Sequence, residues 1–201
     1  MKNFKKLFVI ILCGMLSAFI FSCGSTGGAA ASDGFGEGVP YAGEWEPFTD
    51  ENDKGNSTVK MEVVEMDGMP AYRFTGNVTT QFQYGFVGWQ IVPDEATMAL
   101  LKTARAISFK FVGDGKRQTI KYRISSVTDH AHFEYHFFGD AGVPERVEVP
   151  LRFFMQPSWG SPARMNQNNV TDVSFQTHES WRVAGSSTPF EITIWDLRVH
   201  P

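Results

Sequence analysis

The chain predicts an all-β domain: a β-sandwich with one short helix. Three observations carry that reading. Short runs of period-two alternation recur along the chain, Gly, Pro, Asn and Asp separate them, and one stretch alone has helical spacing. The alternation is plainest at residues 107–112, where Ile107, Phe109 and Phe111 share one face and Ser108 and Lys110 the other.

The other elements follow in order. Residues 59–65 and 71–78 flank Met66-Asp67-Gly68-Met69-Pro70 and read as a hairpin. Residues 83–92 are a third run, closed by Pro93-Asp94. Asp94 then caps a helix over residues 94–104, with Met98, Leu101 and Ala104 on one side. In residues 117–125, Ile120, Tyr122 and Ile124 oppose Thr119, Lys121, Arg123 and Ser125. In residues 132–138, Phe133, Tyr135 and Phe137 oppose His132, Glu134 and His136. Residues 146–151 turn Val147, Val149 and Leu151 inward, and runs at 170–176 and 190–199 close the chain. In the last run Phe190, Ile192 and Ile194 read as core, but so do Leu197 and Val199. That change of phase predicts an irregularity near Trp195 and Asp196.

The chain has 201 residues, enough for one ordinary domain, and a formal net charge of -4, the wrong sign for a protein that binds nucleic acid by neutralising phosphates. Charged residues make up 20% and aromatics 14%, which excludes intrinsic disorder over most of the length. The two Cys exclude a disulfide scaffold. Both lie in or next to the N-terminal segment. There Lys2, Lys5 and Lys6 precede an apolar run to Ser22, the pattern of a secretory signal over residues 1–22. Ile20-Phe21-Ser22-Cys23 resembles a bacterial lipobox, which implies that Cys23 becomes a lipid-modified first residue and holds the protein to a membrane of the cell envelope, facing the periplasm or the surface. Residues 23–40, rich in Gly, Ala and Ser, then form a tether with a root-mean-square reach of about 20–25 Å. The folded domain is expected over residues 41–201.

Several fragments fall in the order of one family pattern. Gly55-Asn56-Ser57-Thr58 leads into a strand, followed by Ile107-Ser108-Phe109-Lys110-Phe111-Val112-Gly113-Asp114-Gly115. A strand with Tyr135 and Phe137 follows, then Val147-Glu148-Val149-Pro150-Leu151-Arg152-Phe153-Phe154 and Gln156-Pro157-Ser158-Trp159-Gly160. Phe190-Glu191-Ile192-Thr193-Ile194-Trp195-Asp196-Leu197-Arg198-Val199 completes the set. The set resembles the galactose-binding-like jelly rolls of family 11 carbohydrate-binding modules and the related complex I intermediate-associated protein 30 type domains. The resemblance implies two antiparallel sheets, a concave sheet able to hold a glycan, and a structural calcium. The family's acidic pair on the last strand falls here on Trp195-Asp196, so Asp196, with Glu44 from the N-terminal side, is the implied calcium pair. Asp50, Glu51, Asn52 and Asp53 could add oxygens but read first as a solvated turn.

Sugar recognition needs aromatic faces for pyranose rings and planar polar side chains for hydroxyls. Lys121 and Arg123, His132, Glu134 and His136, and Glu191, Thr193 and Trp195 all oppose core faces, and they would form one polar surface if their strands shared a sheet. Trp159 and Trp181, both in loops, are the candidate rim aromatics, whereas Trp45 and Trp89 read as packing. The carbohydrate site is therefore expected at Arg123, His132, Glu134, Trp195, Trp159 and Trp181. His130-Ala131-His132 with His136 has metal-ligand spacing, but solvated imidazoles are the plainer reading. No Gly-x-Ser-x-Gly occurs, and no Cys follows Cys23 to act as a nucleophile. These features predict a non-catalytic lipoprotein that binds polysaccharide or glycoconjugate. The alternative is a protein-interaction module that docks an envelope partner with the same fold.

Overall fold

The computed structural model describes residues 34–178 and 186–201. The signal segment, Cys23, most of the tether and Trp181 lie outside the described residues.

Among the described residues, eleven strands and one α-helix follow in this order: β1 (Val39–Pro40), β2 (Gly43–Thr49), β3 (Thr58–Met66), β4 (Met69–Thr79), β5 (Phe86–Pro93), α1 (Glu95–Leu101), β6 (Ala106–Gly113), β7 (Gln118–Ile124), β8 (Phe133–Phe137), β9 (Glu145–Pro150), β10 (Val170–His178) and β11 (Ser187–His200). They form two antiparallel sheets. One has the order β3-β4-β11-β6-β9, with β1 on β11 beyond the end of β4; the other has the order β2-β5-β10-β7-β8. Apart from the β3–β4 and β7–β8 pairs, neighbours in the sheets are distant in the chain, so long-range pairing defines most of the sandwich.

The expected alternation holds. Ile107, Phe109, Phe111, Ile120, Tyr122 and Ile124 are buried between the sheets. Aromatic rings fill the interior. Trp89 of β5 stacks on Phe74 of β4 at 4.1 Å, and Phe109 of β6 meets Phe137 and Phe175 edge-on at 4.9 and 5.0 Å. Trp45 belongs to the same group, stacked on Tyr72 at 4.3 Å. Offset and edge-on pairs of this kind add stabilisation beyond the area they bury.

Asp94 caps α1 as expected, accepting from the Thr97 amide at 2.7 Å. The helix is shorter than the predicted residues 94–104, because past Leu101 the chain tightens into turns in which the Thr103 and Ala104 amides donate to the Leu100 and Leu101 carbonyls at 3.0 and 3.3 Å. The Tyr122 hydroxyl donates to the Leu101 carbonyl at 2.6 Å, and Gln167 Nε2 donates to that of Ala104 at 2.6 Å. The irregularity expected in the last strand is a register shift between Trp195 and Arg198, with Asp196 at φ 50°. One extra residue there restores Leu197 and Val199 to the core.

Two expectations are corrected. The tether does not run free to Pro40, because Val39 and Pro40 pair with Val199 and Arg198 of β11. Nor is Asp50 solvated: it is fully buried, in a 3-10 turn over Asp50–Asp53. Its carboxylate accepts from the Ser57 amide (3.0 Å), the Ser57 hydroxyl (2.8 Å) and the Phe86 amide (3.3 Å), tying the turn to β5. Asp50→Ala leaves those three donors without that acceptor and is expected to cost about 3 kcal/mol of stability, read from denaturant unfolding. Asp50→Asn, which keeps an acceptor oxygen, should cost less.

Candidate functional site

Because Ile120, Tyr122 and Ile124 point inward, Thr119, Lys121 and Arg123 of β7 point out of the five-stranded sheet. The pairing register then places their neighbours. Lys121 faces Glu134 on β8 and Ser174 on β10; Ser174 faces Gln90 on β5, which faces Glu46 on β2. The next row is His136, Thr119, Gln176, Gly88 and Phe48. On the other side, Arg123 faces Asp172. One sheet face thus carries a nearly continuous polar surface across five strands.

These side chains are interlocked. The Arg123 guanidinium donates to Gln90 Oε1 at 2.7 Å and pairs with Asp172 Oδ1 at 3.4 Å. Gln90 Nε2 donates to Glu46 Oε2 at 2.6 Å, and the Thr171 hydroxyl to Asp172 Oδ2 at 2.9 Å. Toward β8, Glu134 lies 3.9 Å from Lys121 Nζ and 3.5 Å from His136 Nε2, and His136 Nδ1 shares a 3.0 Å hydrogen bond with the Thr119 hydroxyl. Such cross-braced groups present donors and acceptors already oriented, which lowers the entropy cost of binding a hydroxylated ligand. The Phe48 ring lies across Gly88, where any Cβ would strike it, so an aromatic surface borders the polar rows.

Burial tunes the charges. It raises the Asp172 pKa against the opposing pull of Arg123, and it lowers that of Lys121 against Glu134. His132 is pushed down to about 4, first by burial and then by Arg123 and Lys121. His178 is pushed down to about 3, first by burial and then by Lys121, His136 and Arg117. Both imidazoles are neutral at pH 7.

The expected site residues separate. Arg123, His132 and Glu134 share this face. His132 stands just before β8, is only 8% exposed, and leaves Nδ1 without a hydrogen-bond partner. Trp159 is 66% exposed, in a loop docked on the turn that leads into His132: the Ser161 amide donates to Asp129 Oδ2 at 2.6 Å, and Gly160 packs on Ala131. Trp181 lies outside the described residues. Trp195 does not belong to this surface. Its strand is in the other sheet, it is only 2% exposed, and its Nε1 donates to Asp67 Oδ2 at 3.1 Å, beside the Lys110–Asp67 ion pair at 2.8 Å. Glu191 and Thr193, on the same outer side of β11, leave with it.

Sequence reasoning missed Gln90, Asp172, Ser174, Gln176 and Phe48. The alternation within residues 170–176, with Val173 and Phe175 inward, marks Ser174 and Gln176 as outward. Only the register brings them beside Lys121 and Thr119. Alongside β8, Glu134, His136, Phe153, Met155 and Pro157 line a shallow groove of about 410 Å³.

The expected calcium pair is also corrected. Asp196 and Glu44 stand in different sheets. Asp196 is held by Arg198 Nε at 2.6 Å and by the Arg146 guanidinium at 3.4 Å. Arg198 also donates to the carbonyls of Glu37 (3.2 Å) and Gly38 (3.3 Å) and pairs with the Glu37 carboxylate at 3.5 Å. A guanidinium therefore stands among the oxygens a cation would seek, and these residues do not fit calcium. Among the described residues no three His, Cys, Asp or Glu gather as metal ligands, including the His130, His132 and His136 set.

The architecture defines a jelly-roll domain, a fold shared with carbohydrate-binding modules. The chain belongs to the complex I intermediate-associated protein 30 family, whose model matches residues 38–194. Among solved structures, the chain is similar to the family 11 carbohydrate-binding module of the cellulosomal cellulase Lic26A-Cel5E of Clostridium thermocellum. That match has 17% identity and a TM-score of 0.53, and covers 81% of this chain and 89% of that one. A non-crystalline-cellulose-specific carbohydrate-binding module matches at 12% identity and TM-score 0.45, over 83% and 96% of the two chains. An exo-beta-agarase matches at 12% identity and TM-score 0.48, over 81% of this chain but 25% of the enzyme. No curated protein sequence matches.

Two outcomes follow from these charges. Arg198→Met frees the Glu37 and Gly38 carbonyls and leaves Asp196 to Arg146; unfolding should show a loss of about 2–4 kcal/mol. The wild-type melting temperature should be the same in calcium and in chelator. Separately, His132 and His178 have folded pKa values below their unfolded value. Their contribution is intact above about pH 6.5 and lost as pH falls toward 4, so denaturation midpoints should decline across that window.

Proposed function

We propose that this chain is a non-catalytic carbohydrate-binding protein, anchored through Cys23 to a bacterial envelope membrane, and that its glycan docks on the outer face of the five-stranded sheet. The observation that carries this reading is the braced row Glu46–Gln90–Arg123–Asp172, which offers carboxylate, amide and guanidinium groups in fixed orientation. Pyranose hydroxyls are recognised by such planar groups, and Phe48 and Trp159 supply aromatic surface at the margins. The fold shared with the family 11 module supports the same reading. Glu46, Glu134 and Asp172 each face an amide or a cation within the network, which suits binding rather than acid–base hydrolysis.

One observation favours a second reading, a protein-assembly module. Phe153, Met155 and Trp159 are all exposed beside β8, where a protein partner would find apolar anchors, and the family's name refers to association with a complex I intermediate.

The test is binding of the full-length chain, in detergent, to an immobilised panel of soluble and insoluble polysaccharides. At least one glycan should bind, and Arg123→Ala and Gln90→Ala should each weaken it about tenfold or more, as expected for loss of a charge-assisted hydrogen bond. A folded protein that binds no glycan would overturn the carbohydrate reading and leave the assembly module.

A further inference from the structure

The outer face of the five-stranded sheet is electrically polarised. Its exposed acids, Glu44 and Glu46, sit on the edge strand β2. Its bases gather at the opposite side. Lys121 is on β7 and Arg117 immediately precedes it, His136 is on β8, and His178 is the last residue of β10. This concentration of base occurs in a chain whose net charge is -4.

The basic groups are close together, and Lys121 and His136 share one carboxylate, Glu134. Arg117, Lys121 and His136 all act electrostatically on His178, and Arg117, Lys121 and Glu134 on His136. The Lys121 side chain is only 12% exposed, and its nearest carboxylate, Glu134, is 3.9 Å away, beyond hydrogen-bond range. The same carboxylate also serves His136 Nε2, at 3.5 Å. Among the described residues this leaves a buried ammonium with a distant, shared counter-charge, a costly arrangement that an arriving anion would relieve.

Resting on the carbohydrate reading above, we propose that the glycan is anionic, and that Lys121, His136 and His178 receive its carboxylate or sulfate while the Gln90–Arg123 row binds its hydroxyls. Thr119 and Gln176, which lie between these groups in the register, add neutral hydrogen-bonding capacity. The position also predicts proton linkage. Burial and the neighbouring cations lower the proton affinity of His136 and His178, and Glu134 opposes them at His136. An anion placed among them raises their proton affinity, so binding takes up protons and tightens as pH falls. The aromatic residue opposite His178, Phe86 on β5, contributes no charge.

The experiment is calorimetric titration of the full-length chain in detergent with three oligosaccharides of equal length: an oligogalacturonate, a sulfated galactan fragment and a neutral cello-oligosaccharide. One acidic ligand should bind about tenfold or more tightly than the neutral one. Its affinity should fall as salt rises from about 0.05 to 0.5 M, and rise from about pH 7.5 to 5.5. Which acidic arm binds identifies the group as carboxylate or sulfate. Lys121→Met and His178→Gln, each checked by melting, should remove the acidic preference, and His178→Gln alone decides the matter if the lysine variant does not fold. Neutral and acidic ligands bound equally would overturn the anionic inference and leave the carbohydrate reading standing. No ligand bound by folded protein would overturn both. An acidic preference that survives in folded variants would overturn the assignment to these residues.

Discussion

The register of β10 between β5 and β7 is the constraint on which both the interior and the candidate face depend. Phe175 sits opposite Trp89 on one side and Ile120 on the other, and all three are fully buried. With Phe175 fixed inward, Ser174 and Gln176 must point outward, and their row partners Gln90, Lys121, Gly88 and Thr119 with them. A slip of one residue would bury the polar set and expose the rings, so the aromatic core selects the register and the register assembles the face. The polar surface is thus a geometric consequence of how the core packs.

That surface differs from an ordinary solvated sheet face in how little of it reaches water. Ser174, Gln176, Thr119, Asp172 and His132 are all buried although they lie outside the core. Groups so enclosed lose solvation and depend on each other, which is why Arg123, Gln90, Glu46 and Asp172 form a chain of contacts rather than separate hydrated charges. The same enclosure shifts the histidine and lysine equilibria. Stability, ionisation and the capacity to bind a polar ligand therefore depend on the same few contacts. At the far side of the sandwich, the bulge at Asp196 is held by Arg198, which also ties residues 37 and 38 to β11.

Much of the fold was legible in the sequence because its signals are local. Alternation around Ile120–Tyr122–Ile124 and Ile107–Phe109–Phe111 named the inward faces, Asp94 named the helix start, and the change of phase at Trp195 located the bulge. Strand β2 was not recognised: Gly43–Thr49 (GEWEPFT) is short, holds Pro47, and is exposed over much of its length. Of the site, Arg123, His132 and Glu134 were legible because β7 and β8 neighbour each other in both chain and sheet. Trp195 was misplaced for the converse reason: its alternation resembles theirs, but β11 is in the other sheet. Gln90 went unnoticed because a single polar residue in a mostly apolar strand has no significance until its cross-strand partners are known, and Asp172 because its partner Arg123 lies 49 residues away in the chain.

The sequence by itself determined which residues of each strand face inward, where the turns fall, and the family to which the domain belongs, since period, turn chemistry and ordered motifs are properties of contiguous residues. The tertiary structure alone decided which strands share a sheet. It joined Arg123 to Gln90 and Asp172, set Lys121 and His136 about one shared carboxylate, and placed Arg198 among the oxygens around Asp196. Those pairings span 33 to 49 residues for Arg123 and up to 161 for Arg198. Contacts across such separations are fixed by the packing of two sheets around one aromatic core, and no local pattern encodes them.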